Sequence, residues 1–192
     1  MKRLLFMLPA FLLLASIVPS VSAQVSVGAY GDYLHVSQTD TNMAGLGGRL
    51  GVNVFPGTSF EAQMSYDFDQ TFREGFTSTS GGSLTFANSD MKVLTGLFGP
   101  KIQTRGRVKI FLTLKGGFIH FAFNPAPGSL SGFTSTVSDL RTSNVKGMLY
   151  PGGGLEADLG PVGLRLDVGD DIYFANGAHH NLAVQFGPVI HF

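Results

Sequence analysis

Apolar residues recur at every second position through the last twelve residues of the chain, NLAVQFGPVIHF, and the pattern runs to the final residue. Leu182, Val184, Phe186, Pro188, Ile190 and Phe192 share one face, and Ala183, Gln185, Gly187, Val189 and His191 share the other. A period of two is the signature of a β-strand with two unlike faces. The last residues of a domain fray unless something holds them. A strand patterned to its end therefore calls for a neighbour to pair with.

The same alternation returns along the chain. In SFEAQMSYDF, Phe60, Ala62, Met64, Tyr66 and Phe68 oppose Glu61, Gln63, Ser65 and Asp67. In MAGLGGRLGVNVF, Ala44, Leu46, Leu50, Val52 and Val54 oppose Arg49 and Asn53, and in VGLRLDVGD, Leu164, Leu166 and Val168 oppose Arg165 and Asp167. Eight such segments are predicted, at about 25 to 37, 43 to 55, 59 to 69, 89 to 103, 108 to 123, 145 to 159, 162 to 173 and 181 to 192. No helical period competes with them. The segment MKVLTGLFGPKIQ has no cleanly apolar face, so the phase of strand 89 to 103 stays open. PGT, TRGR and GP read as tight turns. They alternate with longer connections: QTDTN, the segment from 70 to 88, the segment from 124 to 144, and FANGAHH.

The start of the chain sets the environment. Lys2 and Arg3 precede the apolar run LLFMLPAFLLLASIV, and small residues at Val21 and Ala23 follow, which is the layout of a secretory signal peptide. The expected organisation is a signal peptide at 1–23 and one β-barrel domain at 24–192. No later stretch approaches the ~18 continuous apolar residues of a membrane-spanning helix. The chain has no cysteine, so disulfides cannot supply its stability. Only 14% of residues are charged and the formal net charge is zero, where a water-facing exterior usually carries ~25–35%. No basic stripe points to nucleic acid.

Alternating short and long connections, an even number of strands and one oily face per strand describe a transmembrane β-barrel: short periplasmic turns, longer outer loops and an apolar band facing lipid. A sheet in lipid has to close so that no edge is left unpaired. The patterned terminal strand supplies the closure, by pairing with the first.

The chain resembles the small eight-stranded outer-membrane barrels of the OmpA and OmpX kind over essentially the whole segment after Ala23. The ending is the most specific part of the resemblance, since such proteins typically finish in Phe with apolar residues at alternating positions. Val184, Phe186, Ile190 and Phe192 fit that signal, and Pro188 departs from it because proline removes a ladder donor. The resemblance implies an all-β up-and-down meander in the outer membrane, contact with outer-membrane lipids, and recognition of the terminal strand by the barrel-assembly machinery. A monomer is expected.

The polar face carries the remaining expectations. A two-residue turn at Gly160 and Pro161 places Glu156 opposite Arg165 and Leu155 opposite Leu166. A turn centred on Gly57 places Arg49 roughly diagonal to Asp67. With Glu61, Gln63, Lys115 and Asp167 these residues are expected to fill the lumen as a network of paired charges, since eight strands enclose only enough room for side chains. Loss of Arg165 is expected to strand Glu156.

Other constellations are less specific. Asp170, Asp171, His179 and His180 gather near one outer loop, as a metal site or acid and base pair would, or simply as a polar loop between strand ends. Outer-membrane lipid A deacylases of the PagL kind use a His and a Ser two residues apart on a late strand, the histidine activating the serine; two residues after His180 stands Leu182. YPGGGLE lacks the Lys and Ser or Thr of a phosphate-binding loop, and its glycines suit a bend in a small barrel. No catalytic residue, metal or cofactor is expected. The function expected is a non-enzymatic barrel with a structural or surface-interaction role through four outer loops, a closed polar lumen and no open pore. The competing readings are a lipid-modifying outer-membrane enzyme and a secreted lipocalin-like ligand-binding barrel.

Overall fold

The computed structural model describes the backbone of residues 24–78, 84–124, 133–135 and 145–192, and the side chains of 24–71, 90–123 and 145–192. The segment expected to be a signal peptide lies outside the described residues. Among the described residues nine strands follow one another: β1 Val25–Val36, β2 Thr41–Phe55, β3 Thr58–Ser78, β4 Leu84–Gln103, β5 Val108–Asn124, β6 Phe133–Ser135, β7 Val145–Leu159, β8 Val162–Phe174 and β9 Ala178–His191. Eight of them form a closed antiparallel meander in which each strand pairs with the next, β5 with β7, and β9 with β1. The short β6 instead adds to the end of β3, through Phe76, Thr77 and Ser78.

The seam between first and last strand runs from Ser26 opposite His191 to His35 opposite Leu182. Beyond it the amide of Phe192 donates to the carbonyl of Val25 at 2.8 Å. The final residue is therefore paired. Three prolines sit inside strands, Pro100, Pro151 and Pro188, all with outward, exposed side chains. Each coincides with a break in one adjacent ladder, and for Pro188 that break falls on the seam, between Gly28–Val189 and Gly31–Phe186. The register continues unchanged across each break. A barrel tolerates the missing donor because the bonds on either side fix the alignment.

Turn chemistry sets the short ends. Gly57 and Gly160 take φ of +84° and +74°, a left-handed conformation that costs other residues a steric clash and glycine nothing. The β7–β8 turn pairs Glu156 with Arg165 and Leu155 with Leu166. The β2–β3 turn behaves differently, because an irregularity between Asn53 and Phe55 shifts the ladder so that Arg49 faces Gln63 and Asp67 faces Gly45. Arg49 and Asp67 are not diagonal neighbours.

The outer connections depart from the sequence expectation. The segment from 70 to 88 is mostly strand, since β3 and β4 remain paired out to Thr77 opposite Leu84. The β8–β9 connection is only Ala175, Asn176 and Gly177, so FANGAHH is a tight turn. The outer connections are shorter than expected, but each is still longer than the turns beside it, so the alternation holds.

The exterior is oily. Leu46, Leu50, Met64, Phe98, Leu112 and Phe186 are among the most exposed large residues, and Arg165, Lys115, Glu61, Glu156 and Asp167 among the most buried. That inverts the arrangement of a soluble domain, where charged groups cover the outside. An exposed apolar belt of this extent needs a hydrocarbon partner.

Candidate functional site

The interior has two layers of opposite chemistry. On the short-turn half, inward positions carry charge. Arg165 on β8 makes a two-pronged pair with Glu61 on β3, Nη1 to Oε1 at 2.6 Å and Nη2 to Oε2 at 3.1 Å, and its Nη2 also donates to Asp167 Oδ2 at 2.8 Å. Glu61 takes Lys101 at 2.9 Å and Lys115 at 3.1 Å as well. Lys115 donates to Gln63 at 2.6 Å. Asp167 receives the Tyr150 hydroxyl at 2.8 Å and Arg49 at 3.4 Å, and Arg49 reaches on to Gln185 at 3.1 Å. The guanidinium of Arg165 lies 4.0 Å from the ring centre of Phe111, and that of Arg49 lies 4.4 Å from Tyr30, so cation–π contact covers faces that hydrogen bonds cannot reach.

Arg49, Glu61, Lys115, Glu156, Arg165 and Asp167 thus lie in one connected lattice across the barrel. Its wiring differs from simple cross-strand pairing. Glu156, though opposite Arg165 in the sheet, stands 4.0 Å from it and is held by Lys101 at 3.3 Å and Lys109 at 3.2 Å. Arg165 therefore serves Glu61 and Asp167 first. Asp67 is buried apart from the lattice, and neither carboxylate oxygen has a hydrogen-bond partner among the described residues.

The other half of the interior is mainly apolar rather than the polar core expected, although Asp67, Lys146, Asp171 and Asn181 are buried within it as well. Leu34, Val36, Met43, Met91, Val93, Ile119, Phe121, Met148, Tyr173 and Ala183 form one buried cluster, with Phe121 edge-on to Tyr173 at 5.2 Å. This layer was not legible as lumen, because Met91 and Val93 face in while Leu94 and Phe98 face out on the same strand. Where both faces are apolar, period two disappears. That explains the open phase of strand 89 to 103, and its inward set is Met91, Val93, Thr95, Leu97 and Lys101. Lys101, Lys109, Tyr150 and Gln185 were also missed as lattice members, although each lies on the inward face.

Glycine makes room at one point in particular. A Cβ at Gly152 would stand 2.6 Å from Cε1 of Tyr150, so the run YPGGGLE admits the tyrosine ring to Asp167.

The acidic and histidine group near the β8–β9 turn divides between the two sides of the sheet. His180 and Asp170 pair at 2.5 Å with both side chains well exposed. Asp171 is buried inside, and His179 stacks on Tyr173 at 5.1 Å and bonds Ala175 O at 2.9 Å and Gln38 at 3.2 Å. They do not converge on one substrate position. Leu182 faces outward, half exposed.

The sequence matches no protein-family model and no curated protein. Among solved structures, the chain is similar to Neisserial surface protein A at a TM-score of 0.60 and 13% identity, over 90% of this chain and 98% of that one. A major outer membrane protein from Thermus thermophilus aligns at 0.53 and 14%, over 90% and 100%. The N-terminal β-barrel domain of OprF from Pseudomonas aeruginosa aligns at 0.53 and 10%, over 88% and 97%. Strand number, order and closure agree, and the chain has the fold of the small eight-stranded outer-membrane β-barrels.

Proposed function

We propose that the protein is exported, resides in the outer membrane, and acts there without catalysis, as a structural or surface-interaction barrel whose interior conducts no ions. The observation that carries this reading is the doubly blocked interior. The Arg165–Glu61–Lys115 lattice fills one half and the Phe121–Tyr173 cluster fills the other. An ion entering would have to break charged pairs and then displace a packed, mainly apolar layer. With the lumen filled, interaction falls to the parts beyond the lipid belt, chiefly the long β3–β4 hairpin and the segment between β5 and β7. The similarity to a protein named for its place at the surface supports the same assignment.

The purified barrel in planar bilayers should show no steady conductance. A stable open channel in the wild type would overturn the closed-lumen reading. The lipid-modifying alternative is disfavoured by the scattering of Asp170, Asp171, His179 and His180, and by Leu182 where the deacylases have serine. Lipid A from cells with and without the protein should have the same acyl pattern. A lipocalin-like role is disfavoured by the exposed apolar belt, because a soluble barrel keeps its oil inside. The protein should be extracted only with detergent.

The resemblance of Val184, Phe186, Ile190 and Phe192 to an assembly signal, with the barrel-assembly machinery as partner, leads to a separate expectation. Deleting Phe192 should leave unfolded protein in the periplasm while the barrel, once refolded in detergent, keeps most of its stability. The deletion removes only one amide contact, to Val25. Normal surface levels of the folded variant in cells would sink the signal.

A further inference from the structure

At the short-turn mouth, at the edge of the charged lattice, Glu156 and Asp158 on β7 and His191 on β9 bring their ligand atoms within 4.8 Å of one another. His191 Nε2 stands 3.2 Å from Glu156 Oε1 and 3.4 Å from Asp158 Oδ1. Both His191 Nε2 and Asp158 Oδ1 are buried atoms that make no hydrogen bond. Gly163, opposite Asp158 on the intervening β8, keeps the space beside them open: a Cβ there would lie 2.8 Å from Asp158 Oδ1 and 3.6 Å from His191 Nε2. A mouth cavity of about 570 Å³ is lined by Asp158, His191 and Lys109, so an ion has a path in from solvent.

We infer that Glu156, Asp158 and His191 form a zinc site that ties the end of the terminal strand to β7 across β8. Zinc takes imidazole nitrogen and carboxylate oxygen at about 2.0–2.2 Å in a tetrahedral shell, which sets neighbouring ligand atoms about 3.4 Å apart. The spacings of 3.2 and 3.4 Å from His191 match that edge. Three protein ligands leave the fourth position of the tetrahedron for water. Calcium asks for six to eight oxygens, and magnesium for an octahedron of oxygens largely its own waters, so one imidazole with two carboxylates suits neither.

Lys109 is the competitor, 3.2 Å from Glu156 Oε1 and in contact with Asp158 through Oδ2. It holds the Asp158 oxygen that zinc does not need, and its side chain is partly exposed, so it withdraws from Glu156 toward the mouth when the metal enters. Lys101 at 3.3 Å and Arg165 at 4.0 Å stay on Glu156 Oε2 and hold the carboxylate in place. The metal would reinforce the seam, since His191 already donates its amide to Pro161 O at 2.8 Å next to the Phe192 contact with Val25.

The test uses tag-free folded barrel in detergent micelles, titrated with zinc chloride by calorimetry and with cobalt(II) by visible absorption. One zinc per chain should bind saturably, cobalt should give the intense bands of a tetrahedral site, and zinc should raise the unfolding midpoint by mass action. Asp158→Asn and His191→Gln should each weaken binding about tenfold or more, in line with losses on disturbing even outer ligands. Gly163→Ala keeps every ligand but fills the gap, and should weaken binding too. Should His191→Gln fail to fold, Asp158→Asn and Gly163→Ala read the same site. No saturable binding by the wild type, or affinity unchanged in the folded variants, would overturn the assignment.

Discussion

Replacing Arg165 by methionine should lower the stability of the folded barrel by about 3 kcal/mol, the lower end of what breaking a buried ion pair costs. The guanidinium is 1% exposed and holds Glu61 with two hydrogen bonds and Asp167 with a third. Removing it leaves two carboxylates short of a partner in a space closed to bulk water. The loss stops short of the maximum because Glu61 keeps Lys101 and Lys115, and Asp167 keeps Tyr150 and Arg49. Glu156 keeps Lys101 and Lys109 and is hardly affected. Adding Asp167→Asn to the variant should recover part of the loss, while Glu156→Gln should recover none. Urea unfolding in lipid vesicles reads both. A change smaller than about 0.5 kcal/mol, the size of an ordinary surface substitution, would mean that water hydrates the lattice freely.

Phe121→Ala should cost about 3–5 kcal/mol, the usual range for removing a buried aromatic side chain and leaving a cavity. Phe121 is fully buried between Tyr173 and Phe123, with ring centres at 5.2 and 6.4 Å. Phe121→Leu keeps much of the volume and should cost less than about 1.5 kcal/mol. The alanine variant should still conduct nothing, because the Arg165–Glu61 layer beneath it remains intact. Conductance in this variant alone would show that the apolar layer is the true barrier and the charged lattice a filled but wet passage.

The sequence carried the architecture because lipid imposes a simple rule. Outward residues must be apolar, and wherever inward residues were polar, as in Glu61, Gln63, Ser65 and Asp67, period two was unmistakable. Tight turns then set the order, and a two-residue turn alone was enough to align Glu156 with Arg165 and Leu155 with Leu166. Strand ends were less legible. In β3 and β4 the ladder continues through Phe72–Thr77 and Leu84–Ser89, where polar, small and apolar residues follow one another with no period of two in the sequence.

Other features were decided only by the three-dimensional structure. The irregularity between Asn53 and Phe55 shifted Arg49 onto Gln63, and no local signal marks it. The partners inside the lattice lie on strands that are not neighbours: Glu61 on β3 meets Arg165 on β8, and Arg49 on β2 meets Asp167 on β8. Glu156 and His191 meet across β8, and the apolar layer around Phe121 forms only when strands from opposite walls face one another. Outside strand 89 to 103, where both faces are apolar, the sequence by itself determined which residues turn toward lipid, because that choice is made strand by strand against a uniform solvent. Which inward side chains pair was decided only by the tertiary structure, because the barrel's curvature and tilt bring distant strands within hydrogen-bond reach across a lumen no wider than the side chains that fill it.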